Sequence, residues 1–302
     1  VNEVRIPIPG VLVGHHTDAE ARTGCTVLVF PEGSIASGEV RGGAPATREV
    51  ALLDPTKTVA RIDAVVLAGG SAFGLAACDG VVQWCAAGGR GFPMSGGPVP
   101  IVVGLALYDL TQGDPSVRPT AHDGERAAER ARPVADGVPT GLVGAATGAT
   151  VGKWRGADSV RPGGLGVAVM QRDDLYVAAL VAVNAVGDID DGSAAAQIAA
   201  GTFAWPTPPE RFGDPAGAPA NTTIGVVLTN AVLDKTACRL VAESGHDGLA
   251  RALFPAHARS DGDALVAVSV PQLVLDEAAG VSVDTVRILA TLAVEHAVRS
   301  VA

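Results

Sequence analysis

The stretch APANTTIGVVLTNAVL (218–233) sets a pair of threonines between an asparagine and a strongly apolar run. If the Asn221–Thr222 bond is broken, Thr222 gains a free α-amino group beside its own hydroxyl, and such an amine ordinarily titrates at about 7.7–8.0. It can then act as a general base at neutral pH, where a lysine side chain, at about 10.4, is nearly all protonated. A threonine that carries its own base is a nucleophile for acyl transfer. The plainer alternative is a β-branched residue that opens a strand after a turn-forming asparagine.

Such a nucleophile needs a group to tune the amine, a donor for the oxyanion and carboxylates to fix the geometry. Three stretches supply candidates. GAATGATVGKW (144–154) places Lys153 after a glycine-rich turn, in a chain with only three lysines, at 57, 153 and 235. A phosphate-binding loop is excluded, because GxxxxGK[ST] demands Gly at 147 and Ser or Thr at 154, where Thr147 and Trp154 stand. Asn184, in VAVNAVGDI, is a polar side chain among valines that can donate to an oxyanion or form a turn. SDGDALVAVSV (260–270) puts Asp261 and Asp263 around Gly262 at the start of a strand, and a surface turn explains that pattern equally well. DIDDG (188–192) and DGD both lack the rest of a calcium loop. GGSAFG (69–74) is one residue short of a dinucleotide fingerprint, and the histidines, His15 and His16 included, show no ligand spacing. No metal and no cofactor is implied.

These residues must be held by ordered elements, and the composition allows them. The 302 residues are 48% hydrophobic and 18% charged, with a mean hydropathy of +0.31, enough for one large core or two modest ones. A net charge of −10 has the wrong sign for a nucleic-acid or anionic-membrane surface. Cys25, Cys78, Cys85 and Cys238 lack CxxC spacing, and three of them lie in apolar patterns, which fits a reducing compartment. No signal-peptide pattern opens the sequence and no apolar run reaches membrane-spanning length, so the expected location is cytoplasmic.

Strands and helices alternate. A strand is expected at 61–70, followed by a helix capped by Ser71; a charged helix at 122–133, stopped by Pro133; and two strands within 164–189 joined at a 171–174 turn. After Thr222 come a strand, a helix broken near Gly245, a strand from Asp263 and a closing helix. Residues 203–220, with five prolines and two glycines, read as a linker. The class is mixed α/β in stacked layers.

The set VRGGAPATREV, LAGGSAFGL, GATVGK, VNAVGD, NTTIGVVLTN and DGDALVAV, in this order, resembles the L-aminopeptidase D-amidase/D-esterase family, which includes β-aminopeptidases and nylon-oligomer hydrolases. The closest likeness is to the threonine-nucleophile branch of nylon-oligomer hydrolases. The resemblance implies an α/β, four-layer αββα sandwich of the N-terminal-nucleophile hydrolase type. It implies a single domain, made as a precursor that cuts itself at Asn221–Thr222 into residues 1–221 and 222–302. Carried over by the same resemblance, Thr222 is the nucleophile, Lys153 and Asn184 line the site, Asp261 and Asp263 hold the new amino terminus, and Tyr108 lies near the substrate. The implied substrates are small amides, peptides or polyamide oligomers, and the implied assembly is a homotetramer. Where family members read DGDT this chain has Ala264. Two rivals remain: an acyltransferase of the ornithine acetyltransferase type, whose nucleophile segment reads ATML-like, and a binding protein of the same fold that never matures.

Overall fold

The computed structural model describes residues 2–206 and 221–302, so the 207–220 part of the expected linker lies outside the described residues. Eleven strands build two sheets: β1 (Leu12–Asp18), β2 (Thr23–Val29), β3 (Ile35–Val40), β4 (Ala46–Arg48), β5 (Ala64–Ala68), β6 (Val102–Ala106), β7 (Arg132–Pro133), β8 (Gly164–Arg172), β9 (Leu175–Val183), β10 (Ile224–Ala231) and β11 (Ala264–Leu273). One sheet has the order β4-β6-β5-β2-β1-β7 and the other β8-β9-β10-β11-β3. Pairing is antiparallel except for β5 with β6 and β10 with β11. The helices are α1 (Ala77–Ala87), α2 (Ala121–Glu129), α3 (Ser193–Ala199), α4 (Lys235–Ala252) and α5 (Val283–Arg299).

Alternation along the strands explains the layers. In β9, Ala178, Leu180 and Ala182 face the other sheet, while Val177, Ala179, Val181 and Val183 face α4 and α5. In β5, Val65 and Leu67 enter the space between the sheets, while Ala64, Val66 and Ala68 meet α1 and α2. Three apolar layers therefore alternate with four layers of secondary structure, the αββα sandwich that the resemblance implies. Burial on both faces is why β9 carries no polar residue apart from Tyr176 near its start. All four cysteines are buried in these layers, and burial pushes the Cys25, Cys78 and Cys238 thiols up to about 12.

Several element boundaries differ from the expectations. The strand within 61–70 covers only Ala64–Ala68, and Ser71 does not cap a helix: it takes a left-handed φ of 56° in a 3-10 turn, Ser71–Ala76, that precedes α1. The 122–133 helix is α2, which begins one residue earlier, at Ala121, under a Thr120 capping box, and ends at Glu129 so that Arg132–Pro133 can pair with β1. The two strands in 164–189 turn at 173–174, inside the expected turn. Helix α4 runs unbroken through Gly245. Its glycines serve close packing: a Cβ at Gly248 would lie 2.4 Å from the Thr291 carbonyl oxygen of α5, and one at Gly245 would lie 2.8 Å from Leu265 Cδ1. Gly248→Ala is expected to lower stability by about 1–3 kcal/mol through overpacking, read as a drop in thermal midpoint.

Candidate active site

Register brings the candidates together. Ile224 of β10 stands opposite Ala264 of β11 in the parallel pair, and Ala264 N–H donates to the Thr223 carbonyl at 3.1 Å. The residues just before each strand, 222–223 and 261–263, are therefore neighbours at one end of the sheet. Gly262 N–H donates to Thr222 Oγ1 at 3.2 Å, and Thr223 N–H donates to Asp263 Oδ1 at 2.7 Å. The 41–45 loop closes over them by continuing β3: Arg41 N–H donates to the Asp263 carbonyl at 2.7 Å and Ala44 N–H to the Asp261 carbonyl at 2.9 Å. Only glycine fits at 262, where a Cβ would meet the Ala44 oxygen at 2.5 Å and Thr222 Oγ1 at 2.9 Å.

Asp261 and Asp263 are each 1% exposed, which excludes the surface-turn reading of DGD. Asp261 accepts Ala258 N–H at 2.9 Å and Val186 N–H at 3.4 Å. Burial, then the neighbouring Asp263 charge, pushes the Asp261 carboxyl well above the usual carboxylate range. Thr222 is buried too, and its φ of 156° is one that a β-branched residue rarely adopts.

Lys153 and Asn184 form the other wall. Lys153 follows a left-handed Gly152, in a short 3-10 turn held by Gly152 and Trp154 N–H bonds to the Gly187 and Val186 carbonyls. Its Nζ lies 2.7 Å from the Thr150 carbonyl, 2.9 Å from Asn184 Oδ1 and 3.2 Å from the Asn184 carbonyl. That last carbonyl also accepts Thr222 N–H at 3.0 Å, so lysine and threonine meet on one oxygen. Burial draws the Lys153 ammonium down to about 7 against the opposing pull of Asp261 and Asp263. Lys235, by contrast, is spent on the Leu52, Lys57 and Val59 carbonyls and belongs to the framework.

Asn184 Oδ1 accepts from both Thr150 N–H and Lys153, which orients the amide, and Nδ2 donates to the Tyr108 carbonyl at 2.9 Å. In the continuous chain Asn184 thus bridges the two sheets, with one amide hydrogen committed to that carbonyl. Tyr108 enters the cluster through its backbone. Asn221 is buried, and its Nδ2 donates to Ser260 Oγ at 3.4 Å. His257, passed over in the sequence for want of metal-ligand spacing, contacts Asp263 at 2.8 Å; its signal is its place six residues before that aspartate. Among the described residues no group of three or more His, Cys, Asp or Glu could hold a metal, and no helix is long and apolar enough to cross a membrane.

The structure is thus a four-layer αββα fold that gathers a buried threonine, two buried aspartates and a half-buried lysine at one end of the sheets. The chain belongs to peptidase family S58, which it matches over residues 6–302, and it is a hydrolase acting on amide bonds. It is 41% identical over 286 residues to an uncharacterized aminopeptidase of Mycobacterium leprae, covering 87% of this chain and 77% of that protein. It is 28% identical to a 6-aminohexanoate-oligomer endohydrolase of Kocuria sp., covering 95% of this chain and 81% of the other. Among solved structures, the L-aminopeptidase D-Ala-esterase/amidase of Ochrobactrum anthropi, described as a variant of the Ntn hydrolase fold, superposes with a TM-score of 0.70 at 20% identity, over 100% of this chain and 87% of that one. A Burkholderia sp. β-aminopeptidase gives 0.69 at 20% identity, over 97% and 84%.

The two aspartates are expected to respond differently to removal of charge. Because folding raises the Asp261 carboxyl, its contribution to stability is complete below the ordinary carboxylate pKa of about 4 and is lost as pH rises through the raised value. Asp261→Asn in the uncut chain should therefore gain thermal midpoint over the parent as pH rises from about 4 to 8. Asp263→Asn removes a charged acceptor from Thr223 N–H and His257 and should lower stability by about 1–3 kcal/mol at neutral pH. Melting curves across that pH range check both.

Proposed function

We propose that the protein is a self-processing amidohydrolase whose nucleophile is Thr222, freed by cleavage of the Asn221–Thr222 bond. The observation that carries this reading is the shared hold on Thr222: its hydroxyl on Gly262 N–H, its nitrogen on the carbonyl that also binds Lys153, and the next residue on Asp263. In processing, Thr222 Oγ1 attacks the Asn221 carbonyl carbon and the C–N bond breaks. The proton from the hydroxyl goes to the departing nitrogen, and water then hydrolyses the ester to leave the Asn221 carboxylate and the Thr222 amine. The unusual φ at Thr222 favours this step by raising the energy of the uncut backbone at this position.

In turnover, the Thr222 amine takes the proton from Oγ1 as the oxygen attacks a substrate amide carbonyl. The leaving amine collects that proton, and water releases the acyl group. The new amine at position 222 lies beside two buried carboxyl groups and a lysine that burial draws toward neutrality. Lys153 biases the amine toward its neutral, basic form, and Asn184 fixes Lys153 and the Tyr108 backbone beside the attacked carbonyl. Higher identity to proteins named aminopeptidases than to those named oligomer endohydrolases favours peptides and amino-acid amides over polyamide oligomers. A homotetramer of cut protomers is proposed on the family resemblance.

A panel of an amino-acid p-nitroanilide, a β-peptide and a 6-aminohexanoate oligomer tests the reading. Thr222→Ala should lose at least about a thousandfold in kcat on every substrate the parent cleaves, while Thr222→Ser keeps measurable turnover. Undiminished hydrolysis by folded Thr222→Ala would refute it. Transfer of the acyl group to an added amine, with no hydrolysis, would make the protein an acyltransferase.

A further inference from the structure

His257 lies in the turn between α4 and the DGD segment, with a left-handed φ of 55°. Its ring Nδ1 is 2.8 Å from Asp263 Oδ2, and its backbone N–H reaches the same oxygen at 3.3 Å. The other carboxylate oxygen is the one that accepts Thr223 N–H. Ring Nε2 faces the His246 carbonyl at 3.4 Å. Both ring nitrogens therefore look at oxygen acceptors, and only the doubly protonated ring supplies a donor to each.

We infer that His257 is a positioning residue for the reaction: as a cation it clamps the outer oxygen of Asp263, which keeps the inner oxygen on Thr223 N–H and holds the Thr222 backbone on the reacting atoms. The inference rests on Thr222 being the nucleophile and adds a titrating group that touches no bond being made or broken. Burial opposes the charge on His257, but the hydrogen bond and charge of Asp263 outweigh it and hold the ring above the usual histidine range.

The surrounding charges leave that assignment intact. His246 of α4, with its ring centroid 5.0 Å away, is drawn down to about 3 by burial and stays neutral. Arg41, after β3, is paired with Glu39 at 3.1 Å and Asp247 at 3.5 Å, and Arg239 of α4 with Glu243 and Glu39. Asp261 and Lys153 also lie within reach of the Asp263 charge. With a raised pKa, the His257 charge is present at low pH and is lost as pH rises, so it acts on the alkaline limb of the activity profile.

The test is the pH dependence of kcat and KM on an amino-acid p-nitroanilide for the parent, His257→Ala, His257→Asn and Thr222→Ala. Asparagine tolerates the left-handed backbone and can place an N–H where Nδ1 sits. His257→Ala should lose about tenfold to a hundredfold in kcat with KM within about twofold of the parent. His257→Asn should recover most of that loss and shift the parent's alkaline limb to what Lys153 alone contributes, because an amide does not titrate. Parent-like kcat in folded His257→Ala, or an unchanged alkaline limb in His257→Asn, overturns the inference. If His257→Ala does not fold, the His257→Asn profile decides alone. Turnover by Thr222→Ala would instead remove the nucleophile reading on which the inference rests.

Discussion

The parallel register of β10 on β11 is the constraint on which the site depends. With Ile224 opposite Ala264, the two residues that precede each strand are forced together, Thr222 on Gly262 and Thr223 on Asp263. A slip of one residue would exchange every inward and outward side chain of β10, moving Ile224, Val226 and Leu228 out of the layer between the sheets. The core therefore enforces the register that the chemistry needs. The 41–45 loop locks the same arrangement from the other side by carrying the β3 pairing past the end of the strand.

Around that register, charge is buried in balance. Two carboxylates with 1% exposure would be costly alone, and each is compensated: Asp261 by backbone N–H groups, Asp263 by Thr223 N–H and His257. Lys153 is surrounded by carbonyl oxygens and a side-chain amide oxygen: charged, it has a hydrogen for each of three of them, and neutral it still has two to give. A group that can lose its proton near neutrality, next to a threonine nitrogen, is what amine-based general-base chemistry requires. Asn184, at the end of β9, couples the two sheets, because its amide holds both the Tyr108 carbonyl that follows β6 and the Lys153 ammonium nitrogen.

Much of this was legible in the residues. The β-branched runs and their turns mark β5, β8, β9, β10 and β11 because burial on both faces leaves little room for polar side chains. Glycine misled in α4, where the local tendency to break a helix is overridden by close approach to α5. From composition DGD fits a surface turn as well as a site, and residues 41–45, more than two hundred positions away in the chain, help to bury it. His257 was invisible for a related reason. Its partner is a carboxylate brought to it by a left-handed turn, which no metal-ligand spacing would mark.

The central claim is that the nucleophile is made by cutting the chain at one bond. Intact-mass spectrometry with N-terminal sequencing of the purified parent protein tests it most directly. The expected result is two species held together in the native protein, one ending at Asn221 and the other spanning residues 222–302 with threonine first. A fully active preparation containing only the uncut chain, or a second chain that begins at any residue other than Thr222, would contradict it.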